Sequence, residues 1–409
     1  MTLPEEPRRA PRPKGPIPAI PLTILTGFLG AGKTSLLNVL LREPDLADTV
    51  VIINEFGEIG LDHLLVEKAD EGMVTLASGC LCCTIRGDLI STLEDLLRRR
   101  DNGRIMTFRR VVIETTGLAD PAPVLHTVLY HPYLAKRFAI DGVITVVDAV
   151  NGAATLDAHI EALKQAAVAD RLVISKADLP EASREGLSVL KHRLQALNPA
   201  APILDIASGE ATPAALLGIG LYDIDGKIAD VRAWLQAEAF DGENGAQHGD
   251  HHAHDHHGHD HEHGHEHAHS HHGHGHRDHH HDVNRHDARI RAFCLTSARP
   301  ITAHNLDLFL DLLRASHGPN LLRVKGLVAL ADDPDHPMVI HGVQHVFHQP
   351  IRLERWPDGD HRSRLVFILR DLDESFVSRL WNAFLGEPSI DAPDAAALTA
   401  NPLALGGGR

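Results

Sequence analysis

Gly27-Phe28-Leu29-Gly30-Ala31-Gly32-Lys33-Thr34 is the stretch on which the reading of this chain turns. It matches the spacing G-x-x-x-x-G-K-[ST] without a gap. Gly27, Gly30 and Gly32 carry no Cβ, so the backbone N–H groups around them, that of Ala31 included, can curl about phosphate oxygens. Lys33 brings a compact positive charge to the β- and γ-phosphates and is the first candidate catalytic residue. The Thr34 hydroxyl is placed to ligate Mg²⁺. Both flanks suit a phosphate cradle between a strand and a helix. Residues 21–26 form a short apolar, β-branched run that reads as a buried strand, and 35–41 have helical character. Ser35 therefore opens a helix whose unsatisfied N–H groups and dipole face an anion.

Outward from the cradle, residues 50–54, 110–114, 142–148 and 171–175 are further apolar strands, with helical stretches at 88–99 and 153–167 between them. This alternation predicts an α/β fold: a mainly parallel sheet with helices on both faces and its chemistry at the carboxyl ends of the strands. Glu114-Thr115-Thr116-Gly117 follows one strand. There a carboxylate can organise Mg²⁺ and water, and a glycine N–H can sense a γ-phosphate, which makes Glu114 and Gly117 catalytic candidates. Ser175-Lys176-Ala177-Asp178 follows another strand. The Asp178 carboxylate can accept from N1–H and the exocyclic amine of guanine, whereas adenine offers no such donor pair. Ser175, Lys176 and Asp178 thus read as a base-selecting segment that favours GTP over ATP. Asn54-Glu55-Phe56-Gly57-Glu58-Ile59-Gly60 sets two carboxylates and two glycines after a strand, the composition of a mobile loop.

Cys80-Leu81-Cys82-Cys83 holds three of the four cysteines. Vicinal cysteines bridge only with strain and three is an odd count, so a disulfide is the poorer reading. Thiolates at this spacing select soft or borderline ions such as Zn²⁺ or Cu⁺. Three thiolates leave a tetrahedral zinc one ligand short, which suits a site that must release its metal, and Glu58 is a further candidate ligand. Cys294 stands alone in a strand and reads as a packed thiol. A secreted disulfide scaffold would spread its cysteines in pairs, so the expected compartment is the reducing cytoplasm.

At 409 residues and 43% hydrophobic content the chain can bury two cores. A net charge of −16 argues against nucleic acid as principal partner, and without a run of eighteen apolar residues no membrane span is expected. Residues 1–18, rich in Pro and Arg, read as a disordered leader, and 19–240 as the nucleotide domain. Composition then collapses into His, Asp, Glu and Gly. The tract 247–286 holds 20 of the 32 histidines and can bury no core, so 241–287 reads as a disordered, metal-binding linker. About forty such residues span roughly 35 Å root-mean-square, enough to deliver ions to the domain they follow. Lacking fixed geometry, they would collect metal rather than specify it. Beyond the tract, a strand at 289–296, a helix at 303–316, strands at 321–330, 338–348 and 364–369, and a helix at 375–385 predict a small antiparallel α+β domain over 288–388. A loose tail follows at 389–409.

Taken together, these residues resemble the CobW-type metallochaperone GTPases of the SIMIBI class, kin of the HypB and UreG proteins that serve nickel enzymes. The resemblance is carried by the cradle, by Asn54-Glu55-Phe56-Gly57-Glu58, by Gly79-Cys80-Leu81-Cys82-Cys83 and by Glu114-Thr115-Thr116-Gly117-Leu118-Ala119-Asp120-Pro121. The His-rich bridge and a C-terminal domain with His341-Gly342-Val343-Gln344-His345 fit as well. Ser175 departs from the family, where Asn is usual. The resemblance implies GTP hydrolysis coupled to zinc or cobalt handling, and transfer of the metal to an apo client metalloprotein. By matching motif it implies Cys80, Cys82 and Cys83 as metal ligands, Lys33 and Thr34 as phosphate and Mg²⁺ contacts, and Asp178 as base reader. Related switches commonly dimerise, so a homodimer is the corresponding expectation.

Two other function classes compete. A storage protein would buffer metal through the histidine tract without turnover, and a small-molecule kinase would need ATP and an acceptor site. Insertion of cobalt or iron, for cobalamin synthesis or a nitrile hydratase-like client, is a variant of the chaperone reading.

Overall fold

The computed structural model of the chain describes residues 18–56, 73–78, 84–218 and 289–386. The histidine tract lies outside them. In the first unit, the strands are β1 (Ile20–Gly27), β2 (Thr49–Phe56), β3 (Met73–Ser78), β4 (Arg110–Glu114), β5 (Phe138–Asp148), β6 (Arg171–Ser175) and β7 (Ile203–Asp205). They form one sheet in the order β3-β2-β4-β1-β5-β6-β7, and every pairing is parallel. Helices α1 (Lys33–Leu40), α2 (Thr84–Asp101), α3 (Ala122–Tyr130), α4 (Leu134–Arg137), α5 (Gly152–Ala158), α6 (Ile160–Ala167), α7 (Arg184–Leu197) and α8 (Pro213–Leu216) supply the crossovers and flanks.

Two-residue periodicity in the strands sorts the core to both faces. From β1, Leu22 and Ile24 pack with Leu93, Leu97 and Leu125 of α2 and α3, while Leu25 packs on the other face against Leu36 and Leu37 of α1. The chain leaves β1 toward one edge of the sheet and returns to build β5 on its other side. The end of β1 is therefore the point where the winding reverses and a crevice opens for ligand.

The second unit has strands β8 (Ile290–Ser297), β9 (Leu321–Leu330), β10 (Asp333–Val343), β11 (Val346–Phe347), β12 (Ile351–Arg352) and β13 (Ser363–Arg370), with helices α9 (Ala303–His317) and α10 (Glu374–Phe384). Its antiparallel sheet runs β11-β10-β9-β13-β8, with β12 beside β10. Thr302 and Asp373 cap the two helices by accepting backbone N–H bonds. Both helices pack on one face through Phe309, Leu313, Val377 and Trp381. The other face meets the nucleotide unit, where Leu322, Ile368 and Ile290 join the α6–α7 core and Val343 joins that of α3.

The structure departs from the local sequence expectations in three places. The strand expected at 338–348 breaks after Val343, because Gln344 takes φ +53° and the chain folds back as β11, pairing Val343 with Val346. The helix expected at 153–167 is two, divided at His159, whose backbone is extended and whose ring stacks on Phe28 at 4.4 Å. Strands β3 and β7 were not anticipated. β3 is an edge strand, and β7 has three residues and an acidic end.

Candidate functional site

Strand ends build the site. Register pairs Leu25 with Glu114, Gly27 with Val146, and Asp148 with Ser175, so β1, β4, β5 and β6 all finish at one rim. The turn after β1 winds through left-handed backbone. Gly32, at φ +91°, stands at the N-terminus of α1 in a conformation that side chains disfavour. The N–H groups of that first turn are thereby turned toward the rim.

Lys33 is buried, and its Nζ donates to the carbonyls of Gly27 and Phe28 at 3.0 and 3.2 Å. The ammonium is thus held inside the loop it would serve. The Thr34 hydroxyl donates to Glu114 Oε1 at 2.9 Å, and Glu114 is only 5% exposed. This places a hydroxyl and a carboxylate oxygen side by side at the head of the cradle. The donor set is hard and oxygen-only, which fits Mg²⁺ beside a polyphosphate. Thr115 tightens the same corner: its N–H donates to the Leu25 carbonyl and its hydroxyl to that of Thr26.

Gly117 is where the Glu114 loop meets the cradle. A Cβ there would fall 2.5 Å from the backbone N of Leu29, so only glycine allows the approach. Gln165, wholly buried on α6, donates to the carbonyls of Gly117 and Ala119 at 3.1 and 3.0 Å and fixes the loop's path.

The segment expected to select the base differs residue by residue. Ser175 is buried and its hydroxyl donates to the Ala31 carbonyl at 2.6 Å, with the Val147 carbonyl at 3.3 Å. The hydroxyl braces the cradle, whereas the sequence reading placed it with the base contacts. Lys176 adopts φ +58° and reaches Asp148 Oδ2 at 2.7 Å. Burial alone would raise the Asp148 carboxyl. The Lys176 ammonium, the Asn151 amide and the backbone N–H groups of Val150 and Asn151 outweigh it and hold the group below the usual carboxylate range. Asp178 is exposed at the rim, open to a ligand. Beside these groups a cavity of about 220 Å³ runs from Phe28–Ala31 to Asp148, Asn151, Gln165 and Lys176. Neither Lys33, Thr34 nor Asp178 lines it, so it flanks the expected phosphate path instead of containing it.

Cys80, Cys82, Cys83 and Glu58 lie outside the described residues. The strands that lead to them do not. β2 ends at Phe56 and β3 at Ser78, paired in register, and α2 starts at Thr84. Both strands run parallel to β1, and β3 stands three strands away. At about 4.8 Å per strand, the chain leaves β3 toward the cysteines roughly 14 Å across the sheet from the cradle.

Sequence reasoning missed Asp148, Gln165 and His159. Asp148 left a signal: a lone carboxylate ending a strand that is otherwise apolar around it. Gln165 left none, since a glutamine inside an alanine-rich helix is ordinarily a surface residue.

Residues 21–205 match the model of the CobW/HypB/UreG nucleotide-binding domain, and 290–385 that of the cobalamin synthesis protein cobW C-terminal domain. Zinc chaperone YjiA of Escherichia coli (strain K12) is 40% identical over 191 residues, covering 47% of this chain and 58% of that protein. Zinc-regulated GTPase metalloprotein activator 1 of Schizosaccharomyces pombe is 38% identical over 197 residues, 46% of each. The chain thus spans about half the length of the curated relatives it matches. A crystal structure of a Zn(II)-bound triple mutant of YjiA GTPase superposes with a TM-score of 0.61 at 25% identity, covering 91% of this chain and 100% of that one. No helix among the described residues is long and apolar enough to cross a membrane. The two matched domains take in more than half of the chain and coincide with its two sheets, and the chain belongs to the CobW family of nucleotide-binding proteins, with homologues named as zinc chaperones.

Proposed function

We propose that this chain hydrolyses GTP and uses the turnover to hold and then release a metal ion carried on Cys80, Cys82 and Cys83, passing it to an apo client metalloprotein. Zn²⁺ is the favoured cargo and Co²⁺ the alternative. The observation that carries the reading is the shared rim. The cradle, Glu114 and the strands leading to the cysteines and to Glu58 all end on one side of one parallel sheet. A change at the γ-phosphate thereby falls on the same rim as Phe56 and Ser78, the strand ends from which the chain leaves toward Glu58 and the cysteines.

Lys33 would exchange its two loop carbonyls for phosphate oxygens, a stronger charge-assisted contact. Thr34 and Glu114 would hold Mg²⁺, which when bound offsets charge on the β- and γ-phosphates. The Gly117 N–H would read the γ-phosphate, and Asp178 the guanine edge. Loss of the γ-phosphate would relax the loops at 55–60 and 80–83 and slacken the thiolate site.

Nucleotide can shift metal affinity only by its differential binding to the two states. The test is a Zn²⁺ competition titration of the full chain with GDP and with a non-hydrolysable GTP analogue, repeated on the Cys80/Cys82/Cys83 triple serine variant and on a variant lacking 247–286. The reading requires a tight class that differs between nucleotides, vanishes in the serine variant and survives loss of the histidines. Equal affinities in both nucleotide states would remove the switch. A tight class lost only with 247–286 would point to storage.

A further inference from the structure

The tip of the β10–β11 hairpin reaches across from the second unit onto the Glu114–Asp120 loop. Gln344, at the left-handed position of the turn, donates from Nε2 to Asp120 Oδ2 at 2.9 Å. The other oxygen of that carboxylate, Oδ1, accepts the Ala122 N–H at 3.0 Å and so fixes the entry to α3. Oδ1 thus orders the entry to α3, while Oδ2 faces Gln344 of the neighbouring domain at 2.9 Å and, more distantly at 3.7 Å, Lys164 of α6. The contact is well seated. The His345 carbonyl accepts the Tyr130 hydroxyl at 3.3 Å, the His345 ring meets that of His126 at 3.9 Å, and Val343 is part of the α3 core.

A second connection acts from behind. The buried Arg323 of β9 donates to the Val168 carbonyl at the end of α6 and pairs with Asp170 just beyond it. The same helix carries Gln165, which holds the Gly117 and Ala119 carbonyls. The loop that bears Glu114 and Gly117 is thus gripped at three points, at Gly117, Ala119 and Asp120. At Asp120 the second domain's Gln344 acts directly, with Lys164 of α6 at 3.7 Å beside it, and the other two grips come through that same helix, which the second domain anchors.

We propose that Gln344 is a positioning residue for the Glu114–Asp120 loop, so that docking of the C-terminal domain sets the rate at which the nucleotide domain hydrolyses GTP. The inference rests on the hydrolysis reading above and adds an in-cis regulator to it. A loop held at Asp120 presents Gly117 and Glu114 in one arrangement; released there, it samples several, and fewer are competent. Nucleotide binding, which bears on Gly117, must in return alter the hairpin tip, because coupling between two bound states is reciprocal.

The experiment measures kcat and KM for GTP, on the full chain, of Gln344→Ala, Asp120→Asn, Asp120→Ala and the Gln344→Ala/Asp120→Ala double variant. Amide hydrogen exchange of residues 343–346 is followed with no nucleotide, with GDP and with a non-hydrolysable GTP analogue. Loss of one charge-assisted bond predicts kcat lowered about five- to tenfold in Gln344→Ala with KM within about twofold. Asp120→Asn keeps one acceptor for the Ala122 N–H and turns an amide NH2 toward Gln344, whose own amide can rotate to offer Oε1. It should therefore lose less than Asp120→Ala, and the double variant should be no slower than Asp120→Ala alone. A merely structural contact would instead leave kcat unchanged and give nucleotide-independent exchange at the turn, and additive losses would mean that the two residues do not act through one another. Unchanged kcat in Gln344→Ala, or additive losses, overturns the proposal. Absence of turnover in the wild-type chain would defeat the hydrolysis reading itself. Exchange then decides the coupling alone: protection at 343–346 that responds to nucleotide sustains it, and identical protection in all three states ends it.

Discussion

Asp170→Asn removes one negative charge from a deeply buried polar cluster between the two domains. Asp170, Arg323 and Lys325 are each no more than 3% exposed. Asp170 Oδ1 takes both cations, with Lys325 Nζ at 2.6 Å, while Oδ2 accepts the Val143 N–H at 2.9 Å. Burial pushes the Asp170 carboxyl up, but Arg323, Lys325 and the hydrogen bonds they supply hold it well below its ordinary value. At ~4 Å and an effective dielectric of ~20, each cation attracts the carboxylate by about 4 kcal/mol, most of it offset by desolvation. Removing the shared partner leaves the desolvation without its compensation, a loss of about 3–5 kcal/mol. Asn keeps the volume and one acceptor, which sets the expectation near the lower bound. Urea unfolding of the full chain, followed by tryptophan fluorescence, reads it. Trp356 and Trp381 both report the C-terminal domain, which should release at lower denaturant in a separate early transition. A combined Asp170→Leu, Arg323→Met and Lys325→Met variant should instead stay within about 1 kcal/mol of wild type, since an apolar replacement carries no stranded charge. If Asp170→Asn costs under about 1 kcal/mol with an unchanged single transition, the three groups are not acting as a coupled buried network.

The remaining predictions touch the site and the fold separately. Gly117→Ala forces a methyl against the Leu29 backbone, so hydrolysis should fall at least tenfold with a stability loss of about 1–3 kcal/mol, read by turnover and thermal melting. A near-wild-type rate would show that the loop does not need its close approach. Asp178→Ala should weaken GTP binding by about 1.5–3 kcal/mol and leave ATP binding nearly unchanged; equal losses for both would exclude it as base reader. Burial, with Arg323 nearby, lowers His348 from 6.5 to about 4 and holds the stacked His341 well below its usual value. Between those limits the unfolded chain binds more protons than the folded one. Stability should therefore be complete above about pH 6.5 and decline as pH falls toward 4, by about 3 kcal/mol for His348 alone. His348→Gln should flatten that slope in pH-dependent unfolding, and an unaltered slope would assign it to other groups.

The cradle, the parallel sheet and the two-domain division were legible in the chain because each depends on short-range physics. Glycines at fixed offsets permit one backbone path, and apolar runs between helices leave one way to bury both faces. Sequence order also marked the ends of β4 and β6, since Glu114 and Ser175 close runs that must lie inside. The hairpin break at Gln344 and the division at His159 escaped notice because nothing local forbids continuation. The first is decided by a turn seated against α3, the second by a ring that stacks on Phe28.

Sequence by itself laid out the grips we propose for the nucleotide domain: a phosphate chain through Gly27–Thr34, and a base through Asp178. Only the tertiary structure decided who holds the machinery in place. Gln165, Asp170, Arg323 and Gln344 are spread over some 180 positions of the chain and follow no common pattern, yet they meet around one loop and one buried carboxylate. A motif can specify a loop that wraps a ligand, because the residues are neighbours along the backbone. It cannot specify the partners that brace that loop, because those are chosen by which surfaces fold against it and which charges are buried when they do.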